Sequence, residues 1–302
     1  MVPYTPTREE ILAIVPHYTD LGVPKRGGFK IFYPATRSGG SREALKLAYL
    51  PPFLDVDERY RVDLREEIKK RVEREIDLLG KATSPYIVKL GLLRPTPISI
   101  QGHEFIAYSE ELLDGPDLQS LIQSGSRPSE DELLLAAECL VKAVKDLWFN
   151  LGTVHRDIKP LNVIKTDIVD RPFVLLDLGI AFSIYETALT VDPSQRFPPP
   201  GTTRYLAPEM LRPDFRDSLD YRSDLYTIGV TLYEYACGQH PLARDRDDML
   251  LTLSRIAKEI PKPIEVHRAD LSIKITTIIN QLLKKLPALR GNIKTIEQAL
   301  EL

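Results

Sequence analysis

The sequence predicts an α+β protein with two lobes, a smaller β-rich one followed by a larger, mainly helical one. Glycine turns and short runs of strand-forming residues fill much of the first third of the chain. Beyond Gly115 the apolar residues recur at helical spacing. The change falls near residues 110–115 without a long linker. A hinge inside one unit explains this pattern better than a boundary between independent domains.

The composition is that of an ordinary globular protein. The chain has 302 residues, 43% of them hydrophobic, and a net charge of -3. This balance argues against a nucleic-acid binder, which would carry a basic stripe. No signal core is evident at the N-terminus, and no apolar run approaches the ~18 residues that span a bilayer. The two cysteines, Cys139 and Cys237, have no CxxC partner, so reduced thiols are expected rather than a zinc site. A cytoplasmic protein without membrane contact is predicted.

Individual elements can be placed from local signals. Thr7 and Glu10 fit a capping box that begins a short helix. A charged helix is predicted at about Val62–Leu79, with Gly80 placed to end it. Predicted strands lie within residues 21–50, 87–92, 98–100 and 105–108. The helical segments that follow are 117–123, 129–150, 223–236, 248–260, 272–286 and 293–300.

One short segment points to a chemistry. His155–Asn162 reads HRDIKPLN and resembles the catalytic loop of the eukaryotic-type (Hanks-type) Ser/Thr protein kinases. Five fixed positions match by accident roughly once in a few million windows at average residue frequencies. Asp177-Leu178-Gly179 resembles the D-F-G signature of that family, with Leu178 in place of Phe. The resemblance implies a protein kinase-like fold, ATP and Mg²⁺ as cofactors, and a protein Ser/Thr substrate.

The resemblance also assigns roles to the residues of these motifs. Asp157 would act as the general base for the substrate hydroxyl, a role worth about 10²–10⁴-fold in rate. Asn162 and Asp177 would supply the oxygen ligands that Mg²⁺ prefers. Lys159 would place its ammonium on the γ-phosphate, which is the pattern of Ser/Thr kinases.

Two further catalytic positions are expected in the first lobe. Lys46, in Ala44-Leu45-Lys46, matches the strand lysine that holds the α- and β-phosphates. Glu75 matches its helix glutamate by register, although Glu73 lies close by. Taken alone, each would be an ordinary charged residue: a strand lysine, and a surface glutamate paired one helical turn away.

Other residues would contact the adenine. Glu110 aligns with the gatekeeper position, which makes the backbone of Glu111 and Leu113 the adenine-binding edge. Ala44 and Ile164 would cover the two faces of the ring. An apolar residue or Thr is commoner than Glu at the gatekeeper position.

The glycine-rich loop departs furthest from the family. The segment Lys25–Phe32 keeps the middle glycine as Gly27 and adds Gly28. Lysines, Lys25 and Lys30, replace the first and third glycines, and Phe32 replaces Val. Glycine allows close backbone approach to phosphates. Lys30 would therefore either hold the loop further away or reach the phosphates itself, and a plain β-turn is an equal alternative.

Three marks favour a protein substrate over a small molecule. Gly201–Glu209 resembles the A-P-E segment that closes the activation segment. Asp224 matches the aspartate that braces the catalytic loop, and Arg290 matches the arginine that pairs with Glu209. Small-molecule kinases on the same fold typically lack the A-P-E segment.

The resemblance gives a domain plan and a regulatory hypothesis. Residues 1–20 would be an N-terminal extension and 21–302 the kinase domain, with an N-lobe at 21–110, a hinge at 111–116 and a C-lobe at 117–302. The long connection Leu50–Arg61 would be a docking element or a solvated loop. Arg156 would pair with a phosphate on Thr190 or Ser194. A segment ordered by its own prolines is an equal alternative.

Three functions are compared. An active, autophosphorylating Ser/Thr kinase, a monomer or transient dimer, accounts for all six catalytic-frame residues. A nucleotide-binding pseudokinase scaffold is favoured only by the altered glycine loop. A small-molecule kinase is disfavoured by Gly201–Glu209.

Overall fold

The computed structural model describes residues 4–27, 29–50, 58–178, 182–183, 203–212, 214–215 and 219–301. Two compact units can be recognised by their internal contacts. The first comprises Met1–Lys81 and Val88–Leu113, and the second comprises Ala82–Ile87 and Asp114–Leu302. The first is rich in strands and the second in helices, so the α+β class predicted from the sequence is confirmed.

The first unit is built on an antiparallel sheet. Its elements are α1 (Arg8–Ile14), β1 (Tyr18–Leu21), β2 (Lys25–Gly27), β3 (Lys30–Arg37), β4 (Arg42–Leu50), α2 (Glu58–Lys81), β5 (Thr96–Ile100) and β6 (His103–Glu111). The strand order is β1-β3-β4-β6-β5, and β2 pairs with β3. The central position of β4 places its residues between β3 and β6.

The two faces of this sheet bury different side chains, because successive residues of a strand point to opposite faces. On one face Leu45 and Phe105 pack in a core with Ile11 of α1. On the other face Ala48 packs with Val72 of α2. This second face is the one that carries the charged residues of the candidate site.

The helices of the first unit differ slightly from prediction. The capping box of α1 is present: Glu10 N–H donates to Thr7 Oγ1 at 3.3 Å, and Thr7 N–H donates to Glu10 Oε2 at 2.8 Å. Helix α2 begins at residue 58, inside the predicted connection, and continues through Gly80 to Lys81. The prediction that Gly80 ends the helix is wrong, because one glycine in a helix costs only about 1 kcal/mol and buried packing outweighs it.

The predicted strand at 87–92 is also wrong. Its segment forms only isolated bridges, from Ile87 to Leu175 and from Leu90 to Glu110. Ile87 and Val88 are both buried. The apolar run therefore reflects packing of an irregular segment, which apolar composition alone does not distinguish from a strand.

The second unit consists mainly of helices. Its elements are α3 (Leu118–Gln123), α4 (Glu130–Phe149), β7 (Thr153–Val154), β8 (Val163–Lys165), β9 (Phe173–Leu175), β10 (Phe182–Ser183), α5 (Tyr221–Cys237), α6 (Met249–Lys258), α7 (Ile273–Leu282) and α8 (Ile293–Glu301). Short 3₁₀ turns occur at Pro160–Asn162, Pro208–Leu211, Ile264–Val266 and Pro287–Arg290. Strand β7 pairs with β10, and β8 pairs with β9.

Helix α5 lies at the centre of this unit, with every residue from Ser223 to Ala236 buried. A Cβ at Gly229 would lie 2.8 Å from Leu282 Cβ, so the glycine allows α5 and α7 to approach closely. The predicted helices are confirmed, but α7 ends at Leu282 rather than residue 286. None of the described helices is both long and apolar enough to span a bilayer.

Candidate active site

The residues of the HRDIKPLN motif form one hydrogen-bonded cluster in the second unit. Lys159 Nζ lies 2.9 and 2.7 Å from the two carboxylate oxygens of Asp157. The amide nitrogen of Asn162 donates to Asp157 O at 2.8 Å and to Asp157 Oδ2 at 3.0 Å. The 3₁₀ turn Pro160–Asn162 places the asparagine back against the aspartate. Asp157 is thus oriented by two side chains from its own loop.

Helix α5 anchors the backbone of this loop. The buried carboxylate of Asp224, in the first turn of α5, accepts from the N–H groups of His155 at 2.8 Å and Arg156 at 2.9 Å. Arg156 has a positive φ of 69°, a conformation that non-glycine residues adopt only where the surroundings impose it. The predicted bracing role of Asp224 is confirmed.

His155 connects the loop to the second signature. Its Nδ1 lies 3.2 Å from the N–H of Asp157, and its Nε2 lies 3.1 Å from Leu176 O. These partners require the neutral tautomer with hydrogen on Nε2. Complete burial lowers the pKa of His155 and favours this neutral form.

Asp177 follows directly on this anchored backbone. The N–H of Leu176 donates to Asn162 O at 2.8 Å, which ties the predicted second metal ligand to the first. Asp177 has φ 58°, so its backbone is also held in the left-handed region. The structure therefore brings Asp157, Asn162 and Asp177 together within one unit.

Burial sets the protonation behaviour of Asp157. Removal of the carboxylate from water raises its pKa above the ordinary aspartate value, and the charge of Lys159 opposes this rise. The nearby Asp177 charge raises it further. A raised pKa brings a carboxylate closer to the proton affinity that general-base catalysis requires.

The first unit contains the predicted lysine and glutamate. Lys46 on β4 lies 3.3 Å from Glu75 Oε1 of α2. Glu75 is fully buried, three residues after the buried Val72 on the same helix face, whereas Glu73 is exposed. The register argument from the sequence therefore selected the glutamate that contacts Lys46.

Two residues join this pair in a way that the sequence analysis did not foresee. Glu110 Oε1 lies 2.5 Å from Lys46 Nζ, and Lys30 Nζ bonds to Glu75 Oε2. Strand alternation was the available signal, because Lys30, Lys46 and Glu110 fall on one sheet face by the register of β3, β4 and β6. The sequence had indicated Lys30 and Glu110 only as separate departures from the family pattern.

The predicted adenine-contacting residues occupy both units. Ala44 is buried on β4 and pairs with Glu110 in the β4–β6 ladder. Glu111 donates its N–H to Lys89 O at 2.9 Å. Because that N–H already has a partner, the carbonyl of Glu111 is the backbone group that would contact the adenine. Leu113 is half-buried at the end of the first unit, and Ile164 is half-buried on β8 of the second.

The hairpin β2–β3 carries the remaining nucleotide residues. Gly27 closes the hairpin opposite Lys30, and a Cβ at Gly27 would meet no atom within 4 Å. Space within the protein thus does not require glycine at this position. Phe32 is half-buried and pairs with Lys46 across the β3–β4 ladder.

A buried ion pair fixes the end of the A-P-E segment. Arg290, fully buried, forms a bidentate pair with Glu209 at 2.6 and 2.8 Å. Ser223 Oγ donates to the same carboxylate at 2.6 Å. The pairing predicted for these two residues is confirmed. Several predicted positions lie outside the described residues: Gly28, Gly179, Thr190, Ser194, Gly201 and Thr202.

The donor set suits magnesium and a nucleotide. Asn162 turns its amide nitrogen toward Asp157, so Oδ1 on the other branch is the atom that would bind a metal. Together with the Asp177 carboxylate this would give two hard oxygen ligands, and Mg²⁺ is commonly held by one or two such ligands plus phosphate oxygens. In the first unit Lys46 would supply the positive charge that phosphates require.

Comparison with known proteins identifies the family. Residues 58–301 match the family described as the protein kinase domain. The chain belongs to this family, and the eukaryotic-type Ser/Thr protein kinase family and fold predicted from its motifs are confirmed. The matched region begins after β4, so Lys30 and Lys46 precede it.

Individual relatives are Ser/Thr protein kinases of bacteria. Similarity is found to PknD of Mycobacterium tuberculosis, 28% identical over 222 residues, covering 74% of this chain and 31% of that protein. PknB of Mycobacterium leprae is 29% identical over 180 residues, which cover 59% of this chain and 27% of that protein. A probable Ser/Thr kinase of Clostridium acetobutylicum is 30% identical over 177 residues, which cover 59% of this chain and 25% of that protein. The chain spans less than a third of the length of these relatives.

Proposed function

We propose that this chain transfers the γ-phosphoryl group of MgATP to serine or threonine hydroxyls of proteins. The observation that carries the proposal is the Asp157 cluster, in which Lys159 and Asn162 orient one buried carboxylate and Asp224 fixes the loop beneath it. Phosphoryl transfer needs little covalent chemistry from the protein, so positioning and charge account for most of the catalysis.

Each residue then has a defined task. Asp157 accepts hydrogen bonding from the substrate hydroxyl and takes its proton as the phosphorus–oxygen bond forms. Lys159, beside the same carboxylate, stabilises negative charge on the transferred group. Asn162 and Asp177 would hold Mg²⁺, which when bound neutralises phosphate charge. Lys46, with Glu75, would hold the α- and β-phosphates.

The adenine would be bound by backbone groups of Glu111 and Leu113, with Ala44 and Ile164 against its faces. Gly27 and Phe32 belong to the hairpin that would cover the phosphates. The proposal also includes a protein substrate and autophosphorylation. It places the protein in the cytoplasm as a monomer or a transient dimer. The relatives' names support the Ser/Thr substrate class.

The test compares wild type with Asp157→Asn in labelled ATP and Mg²⁺, and locates incorporated phosphate by mass spectrometry. We expect phosphoserine or phosphothreonine in wild type and a loss of about 10²–10⁴-fold in kcat in the variant. MgATP binding should stay nearly unchanged, because the base acts in the transition state. Asp167→Asn, an exposed aspartate in the β8–β9 turn, is the matched control.

The pseudokinase alternative is favoured by the altered glycine loop, to which the structure adds the unusual charges around Lys46. Wild-type protein that binds MgATP tightly but transfers no phosphate to itself or to a generic protein substrate would favour that alternative. Equal incorporation by wild type and Asp157→Asn would contradict the assignment of Asp157 as the base.

A further inference from the structure

Four charged side chains meet on the α2-facing side of the sheet in the first unit. Two are lysines, Lys30 on β3 and Lys46 on β4, and two are glutamates, Glu75 on α2 and Glu110 on β6. Their side chains are only 11%, 12%, 0% and 3% exposed. Charges so far removed from water must balance each other closely, because each unpaired ion carries a large desolvation penalty. We call these four residues the lysine cluster.

Each oxygen of the Glu75 carboxylate has its own partners in the lysine cluster. Glu75 Oε1 faces Lys46 at 3.3 Å, whereas Glu75 Oε2 is bonded by Lys30 and by Tyr108 Oη at 3.1 Å. Lys46 lies nearer to Glu110, at 2.5 Å, than to Glu75. Lys46 is therefore shared by two carboxylates, and Lys30 supplies the second cation that Glu75 then requires.

The charge count explains why both unusual residues occur together. Within this set of four, Lys46, Glu75 and Glu110 together carry one net negative charge, and Lys30 brings the sum over the four residues to zero. Burial raises the pKa of Glu110, and the charges of Lys46 and Lys30 oppose that rise. A negative excess around Lys46 would also repel the phosphates that this lysine is proposed to bind.

We propose that Lys30 and Glu110 are a compensating pair of positioning residues, which together hold Lys46 and Glu75 in place and set the affinity for MgATP. Glu110 fixes the ammonium of Lys46, and Lys30 occupies the oxygen of Glu75 that Lys46 does not contact. The two departures from the family pattern, at Lys30 and Glu110, then serve a single role. This inference rests on the proposed function, in which Lys46 binds ATP phosphates.

A double-mutant cycle tests the compensation. The variants are Lys30→Met, Glu110→Met and the double variant, with Lys89→Met as a control that removes one exposed positive charge from the same unit. Each single variant leaves one buried charge unbalanced and should raise KM for ATP about tenfold or more. The double variant leaves the balanced Lys46–Glu75 pair and should return to within about threefold of wild type.

Two readouts distinguish positioning from a general structural effect. KM for the protein substrate should stay unchanged in all four variants, while KM for ATP should rise only in the two single variants of the cluster. Lys30→Arg keeps the charge and should retain the wild-type KM for ATP, and it remains informative where a methionine variant fails to fold. Additive losses in the double variant would overturn the proposal. Losses in Lys30→Met that Glu110→Met does not rescue would instead assign Lys30 to direct phosphate contact.

The same cycle can be measured without catalysis, so failure of the proposed function is recognised separately. Each single variant should lower the Tm by roughly 5 °C, and the double variant should recover most of that loss. If the wild-type protein transfers no phosphate but the Tm values show this coupling, the kinase activity is refuted and the compensating pair is retained. Absence of coupling in both the Tm and KM for ATP would refute the pair itself.

Discussion

The catalytic loop and the lysine cluster balance their buried charges in different ways. Beneath the catalytic loop, the carboxylate of Asp224 on α5 is satisfied by two backbone N–H groups of that loop. Elsewhere in the same unit Arg290 is held by Glu209 and by three backbone carbonyls. In the lysine cluster, side chains on three strands and a helix balance each other instead.

This difference has consequences for substitution. A backbone group cannot rearrange to find another partner, so loss of the side chain leaves it unsatisfied. A side chain in a cluster can turn to a neighbouring ion, so loss of one member redistributes the others. Substitutions in the second unit should therefore affect stability or kcat, and substitutions in the lysine cluster should affect KM for ATP.

The largest effect is expected for Arg290→Ala. The variant leaves Glu209 buried without its cation and removes the Arg290 donor from three backbone carbonyls. The free energy of unfolding should therefore fall by about 3–5 kcal/mol. Denaturant unfolding measures this difference, with Arg244→Ala, an exposed arginine, as the control. A loss below about 1 kcal/mol would break the comparison with the lysine cluster.

Gly115→Ala tests how tightly backbone geometry is fixed near β8. Gly115 has φ 143°, and a Cβ there would lie 1.9 Å from Lys165 O. The strained backbone and the clash together should lower the free energy of unfolding by about 3 kcal/mol. Gly125→Ala is the matched control, because Gly125 also has positive φ but has open space at its Cβ. Equal losses in the two variants would show that the contact with Lys165 yields easily.

Asp224→Asn should separate kcat from ATP affinity. The amide offers one acceptor oxygen where two N–H donors point, so the loop beneath Asp157 loses part of its support. We expect kcat to fall about 10- to 100-fold, with KM for ATP nearly unchanged. Steady-state kinetics in both substrates measure this split, and a change in KM for ATP alone would remove the distinction between the two regions.

The smallest effect concerns pH. Asp157 must be ionised to act as a base, and its raised pKa means that activity should fall, as pH decreases, at a higher pH than for an exposed aspartate. The charge of Lys159 lowers the pKa of Asp157, so Lys159→Met should move this acid limb upward. The pH profile of kcat measures the change, and a downward movement would contradict the assignment of the limb to Asp157.

Much of this arrangement could be predicted because its signals are local. The start of α1 follows from the capping box predicted at Thr7, and the side chains of Ser129 and Asp248 likewise accept N–H groups at the starts of α4 and α6. Periodicity located the long helices. It failed at residues 87–92, where burial without a ladder imitates a strand.

The sequence by itself determined the family, the identity of the Asp157 cluster and the phase that turns Glu75 inward, because each depends on residues a few positions apart. Only the tertiary structure decided that Lys30 meets Glu75, 45 residues away, and that Lys46 meets Glu110, 64 residues away. Strand register and the placement of α2 bring these distant charges together. A buried charge depends on which partner lies within a few ångströms, and local sequence does not specify that distance.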